Sequence, residues 1–130
     1  MLKAIIIDAS AVARGLLNTV MVEGGYEVVG STHTMAQGFA LAMKYKPQLV
    51  CIAREQIEDG SGVLEELRAR LPKSLIFMVS GAIDAATIQS SLALGINGFI
   101  VKPFKADAVL KTIKTAVLAL IRKQQEATGS

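Results

Sequence analysis

Short apolar runs in this 130-residue chain end in residues that could do chemistry. Ile5-Ile6-Ile7 runs into Asp8, Leu75 to Val79 runs into Ser80, and Phe99-Ile100-Val101 runs into Lys102. A carboxylate, a hydroxyl and an ammonium gathered in one place could bind phosphate, hold a cation or move a proton. A further run, Leu49 to Ile52, ends in Ala53, whose methyl group can do none of these. Familiar enzyme patterns fail at the same positions. A dinucleotide site wants G-x-G-x-x-G after the first run, where this chain reads Asp8-Ala9-Ser10-Ala11-Val12-Ala13. An Asp-x-Asp phosphatase needs a carboxylate at position 10, which is Ser10. His33 is the only histidine, with no second imidazole and no nucleophile near it in sequence. The lone cysteine, Cys51, lies inside an apolar run and reads as a buried structural thiol. No active site emerges, and the chain is expected not to be an enzyme.

These residues need elements to position them. Ala4 to Ile7, Val28-Val29, Leu49 to Ala53, Leu75 to Val79 and Phe99 to Val101 are short, apolar and rich in β-branched or aromatic residues, and so predict buried strands. Helical spacing fills the gaps. Val12, Leu16 and Val20 predict the buried stripe of a first helix, and Ala36, Phe39, Ala40 and Met43 that of a second. Val63, Leu64, Leu67 and Leu71 mark a third, and Ile88 with Leu92 a weaker fourth. A fifth, from about Lys105 to Gln125, carries Val109, Leu110, Ile113, Val117, Leu120 and Ile121. Gly24-Gly25, Pro47, Pro72, Gly95 and Asn97-Gly98 punctuate the pattern. Five βα units in a row predict an α/β fold, a doubly wound five-stranded parallel sheet with right-handed crossovers and helices on both faces. In such a sheet the functional crevice lies beyond the carboxyl ends of the strands. Asp8, Ala53, Ser80 and Lys102 all stand at those ends.

Composition narrows the classes further. The chain is 52% hydrophobic with a net charge of +3 and no tryptophan. Its cations are scattered without interleaved aromatics, which argues against a nucleic-acid partner. The uncharged stretch Ala85 to Val101 is broken by polar residues and glycines, so no membrane span and no membrane partner are expected. No basic n-region precedes the first run, so the expected location is cytoplasmic. The expected organisation is one domain over residues 1–126 with an unstructured tail at 127–130.

At its strand ends the sequence resembles the receiver domain of two-component response regulators, from about Leu2 to Leu120. Asp8-Ala9-Ser10-Ala11-Val12-Ala13-Arg14 resembles the family's Asp-Asp-Ser-x-x-x-Arg opening. Gly25-Tyr26-Glu27-Val28-Val29 and Pro47-Gln48-Leu49-Val50 resemble its approaches to the second and third strands. Ala93-Leu94-Gly95-Ile96-Asn97-Gly98-Phe99-Ile100-Val101-Lys102-Pro103-Phe104 is similar to its fifth-strand signature. The resemblance implies a flavodoxin-like fold with strand order 2-1-3-4-5.

It also implies a damaged site. Receivers accept a phosphoryl group on an aspartate ending the third strand, and that position here is Ala53. The acidic pair that holds Mg²⁺ with the acceptor becomes Asp8 and Ala9. One carboxylate beside Lys102 is a poor site for a hard cation, so weak or absent Mg²⁺ binding and no cofactor are expected. Asp8 and Lys102 are expected to pair with each other. The family's proline after the acceptor is Ile57, and the Asp-Gly opening the third helix falls at Asp59-Gly60 or in the Ser61-Gly62 register. By the same resemblance Ser80 and Lys102 stand where they would contact a phosphoryl group. Pro103 follows a cis peptide, and Phe99 is the switch aromatic, expected to be buried.

The reading that follows is an atypical, or pseudo-, receiver acting in two-component or phosphorelay signalling by phosphorylation-independent protein–protein contact. Its partner would be a signalling kinase, a regulator or a motor component. The expected contact face is the fourth helix, fifth strand and fifth helix, including Phe99, Pro103, Leu118 and Ile121, which could also form a homodimer. One alternative keeps phosphotransfer on a displaced carboxylate, Glu55 or Asp59. Another is a small α/β enzyme of unknown type.

Overall fold

A computed structural model of the chain describes residues 1–59 and 62–129. Five strands, β1 (Lys3–Ile7), β2 (Glu27–Thr32), β3 (Leu49–Ala53), β4 (Leu75–Ser80) and β5 (Gly98–Val101), form one sheet in the order β2-β1-β3-β4-β5. All four pairings are parallel. The helices are α1 (Ala11–Glu23), α2 (Met35–Tyr45), α3 (Arg54–Asp59), α4 (Val63–Arg70), α5 (Ala85–Ala93) and α6 (Ala106–Gly129). The doubly wound parallel sheet expected from the alternating runs is therefore present, with one helix more than the repeat requires.

A sheet covered on both faces needs strands that are apolar throughout. β3 and β4 are buried along their whole length. Side chains alternate between two core halves. Ile6, Cys51, Phe77 and Ile100 face the side of α1 and α6; Ile5, Ile7, Ile52 and Met78 face the side of α2 and α4. Gly38 of α2 sits directly on Ile7, where a Cβ would collide with the isoleucine side chain. That close approach presses α2 onto the end of β1, one residue before Asp8.

Helix faces correct several expectations. In α1 the buried stripe is Ala13, Leu17 and Met21, while Val12 and Leu16 point outward. In α2 it is Met35, Gly38 and Ala42; Ala36 and Ala40 are exposed. In α5 the pattern is inverted. Thr87 and Ser91 face inward, and Ile88 and Leu92 face solvent. The reasons differ. In α1 two apolar stripes compete and the sheet takes one of them. In α2 the small Gly38 and Ala42 permit close approach to the sheet. In α5 the inward stripe is polar, with Ser91 Oγ directed to Met78 Sδ.

The extra helix, α3, begins directly after β3. Arg54-Glu55-Gln56-Ile57-Glu58 contains neither proline nor glycine, and Arg54 pairs with Glu58 one turn later at 2.8 Å. The expected Asp59-Gly60 and Ser61-Gly62 turns fall largely on residues 60 and 61, outside the described residues. Gly62 has φ 77° and stands at the N-cap of α4, a conformation that favours glycine. At the other end α6 continues to Gly129, past the expected helix end at Gln125. Of the expected tail, Ser130 lies outside the described residues.

Candidate functional site

The register of the sheet brings the expected residues to one end. Ile7 lies opposite Ile52, Ala53 opposite Val79, and Ser80 opposite Val101. Asp8, Ala53, Ser80 and Lys102 therefore close their strands at nearly the same height. Asp8 is almost fully buried, held by its backbone N–H donating to the Thr32 carbonyl at 3.0 Å. Its Oδ1 accepts the Ser10 amide at 2.9 Å, and its Oδ2 meets the Lys102 ammonium at 3.1 Å. β3 and β4 lie between β1 and β5, so this ion pair spans the ends of both. Ala53, only 1% exposed, ends the nearer of the two.

The hydroxyl is engaged as well. Ser80 Oγ donates to the Ala82 carbonyl at 2.9 Å and accepts the Ala82 amide at 3.2 Å. The same carbonyl accepts Arg54 Nη1 at 3.0 Å. Arg54 thus straps α3 to the loop after β4. Arg14 does similar service on the other flank, donating to the Asp8 carbonyl at 2.7 Å. Ser10 caps α1 by accepting the Ala13 amide. Neither arginine stood out as a site residue in the sequence. Arg54 had only its place beside Ala53 to signal it, and Arg14 only its place in the opening motif.

The remaining expected residues are dispersed. The Lys102–Pro103 peptide is cis. Phe99 is half-buried, not buried as expected, because β5 is the edge strand and only Ile100 on it is fully covered. Phe99 packs against the α2 and α4 side of the core and also lines a groove of about 380 Å³ with Val101, Lys102, Pro103, Ala108 and Thr112. Glu55 is exposed in the first turn of α3; the side chain of Asp59 lies outside the described residues. Among the described residues no three His, Cys, Asp or Glu side chains cluster so as to hold a metal ion.

Leu118 and Ile121 are exposed on α6, but its register turns them from the β5 edge. Leu110 packs on Gly24 at the end of α1, and Ile121, three turns later, shares its side. Thr112, within reach of Gly98 of β5, marks the opposite flank. Other exposed apolar residues are Ile88 and Leu92 of α5, Leu94 at its C-cap and Val101 of β5 itself. No helix among the described residues is long and apolar enough to cross a membrane.

Comparison with known proteins gives a consistent result. The family model of the response regulator receiver domain matches residues 4–114. The chain is 30% identical over 112 residues to the chemotaxis protein CheY of Bacillus subtilis, covering 85% of this chain and 93% of that protein. It is 27% identical over 117 residues to CheY of Listeria monocytogenes, covering 89% and 98%. Among solved structures, a CheY-like receiver domain protein from Methanospirillum hungatei superposes with a TM-score of 0.82 at 21% identity, covering 95% of this chain and 98% of that one.

Proposed function

The chain belongs to the response regulator receiver domain family, and from that premise we propose that it is an atypical receiver that signals by protein contact without accepting a phosphoryl group. One observation carries the reading: the Asp8–Lys102 ion pair closes over a third strand that ends in Ala53. A methyl group has no lone pair to attack phosphorus. The groups that remain are engaged with one another. Asp8 neutralises Lys102, and Ser80 is satisfied by the backbone of Ala82. A lone carboxylate already paired with an ammonium offers little to Mg²⁺, which requires several hard oxygen ligands.

Function then rests on the surface. The apolar strip Ile88 and Leu92 of α5, together with the exposed Val101 of the edge strand, is the face offered to a kinase, another regulator or a second copy of the chain. A helix that buries Thr87 and Ser91 while exposing Ile88 and Leu92 has its apolar side available for a partner.

Incubation with acetyl phosphate and Mg²⁺, followed by intact-mass measurement, tests the reading. The expected result is no adduct and an unchanged melting temperature. A stoichiometric phosphoryl adduct, on Glu55, Asp59 or elsewhere, overturns it.

A further inference from the structure

We propose that the pole of the molecule where the strands begin, opposite the crevice, carries a groove that binds an acidic, leucine-bearing segment of a partner protein. Two adjoining cavities form it, of about 230 Å³ and 710 Å³. Both are lined by Pro72, Lys73, Leu120 and Lys123, so they make one continuous depression beneath the far turns of α6.

The polar wall is cationic. Arg68 of α4 reaches into it, with Nη2 donating to the carbonyls of Leu71 at 2.6 Å and Ser74 at 2.5 Å. Its Nη1 donates to the Gly95 carbonyl at 3.2 Å and to Asn97 Oδ1 at 3.0 Å. These partners are neutral, so the guanidinium is fixed in place while its charge remains unbalanced. Lys73 and Lys123 are exposed, and among the described residues neither lies within salt-bridge distance of a carboxylate. Among the described residues no Asp or Glu lines either cavity. Complementarity therefore calls for an anion.

The rest of the lining decides which anion. Among the described residues the lining has no aromatic ring to stack a base and no glycine-rich turn to cradle phosphates. Leu120 and the exposed Ile121 instead form an apolar floor. From Ala116 to Gln125 the groove follows α6 for roughly 14 Å, enough for about four extended residues. In an extended segment alternate side chains face opposite ways. Glutamates can then meet the cationic wall while leucines rest on the floor. This inference does not depend on whether the crevice accepts a phosphoryl group.

The test is an amide ¹⁵N–¹H titration of the full chain with the blocked hexapeptide acetyl-(Glu-Leu)₃-amide. Saturable shifts are expected at Lys73, Ser74, Asn97 and Lys123. Lys73→Glu with Lys123→Glu should weaken binding at least about tenfold, since two favourable charges become repulsive, while far-UV circular dichroism stays unchanged. The proposal is overturned if no saturable shift appears, if the shifts map elsewhere, or if a (Gln-Leu)₃ peptide binds equally well. It is overturned too if oligothymidylate or inorganic phosphate displaces the hexapeptide from these residues, for the groove would then recognise phosphate.

Discussion

Lys102 reaches from the end of the fifth strand to Asp8 at the end of the first and meets its carboxylate at 3.1 Å. The pair joins two strands that do not touch, and Asp8 contributes from an almost fully buried position. Lys102→Met should leave that carboxylate with the Ser10 amide as its remaining partner. Because the lysine side chain is about one-third exposed, a loss of roughly 1–2 kcal/mol is expected, below the range for a fully buried pair. Urea unfolding measures it. The double variant Asp8→Asn with Lys102→Met should lose less than the sum of the single losses, as coupled partners do.

Restoring carboxylates should restore a metal response. Ala53→Asp alone places a second acid near buried Asp8 and should cost about 1–3 kcal/mol at neutral pH. Adding Ala9→Asp completes three carboxylates, and Mg²⁺ should then stabilise the protein. At ten times its dissociation constant the gain is about 1.4 kcal/mol. Thermal melts with and without Mg²⁺ should show this in the double variant and no shift in the natural chain.

Burial pushes the Cys51 thiol up to about 12, where its sulfur lies 3.9 Å from Met21 Sδ. The nucleophile is the thiolate, so an aromatic disulfide reagent at pH 8 should leave the folded protein unmodified and react at once in urea. Rapid modification without denaturant would mean that the α1 side of the core opens.

Asp84 caps α5, and the hydrogen bond from the Thr87 amide, at 2.8 Å, holds its carboxyl below the ordinary range. A depressed folded pKa contributes stability above the unfolded value, near 4, and that contribution disappears as pH falls through the folded value. The Thr87 amide resonance should therefore titrate below pH 4. In Asp84→Asn that titration should vanish.

If α5 and β5 form the partner face, Leu92→Glu should abolish any self-association seen by light scattering. Leu118→Glu, set on the other flank of α6, should leave it intact. The reverse outcome would move the interface to the α1 side.

Strand positions were legible because a doubly covered sheet imposes continuous apolar runs; β3 begins and ends where its run does, at Leu49 and Ala53. Parallel order then carried Asp8, Ser80 and Lys102 to one end. Helix faces were less legible. In α1, both Val12-Leu16-Val20 and Ala13-Leu17-Met21 repeat every four residues, and periodicity does not say which one meets the sheet. α5 was harder, since it buries hydroxyls, with Ser91 Oγ directed to Met78 Sδ. α3 stood unseen because its residues, Arg54 to Glu58, mark no boundary of their own. Arg68 gave no signal at all. Its acceptors are backbone carbonyls and one Asn side chain brought together only by the fold.

The strand order has a consequence for how the molecule opens. β5 lies at one edge of the sheet, paired with β4 alone, so it can peel away without breaking any other strand pairing. It is four residues long and half-covered, which places it at the low end of local stability. When β5 detaches, Lys102 leaves Asp8 with it. Fraying of this one edge strand would uncover the crevice while the other four strands stay assembled.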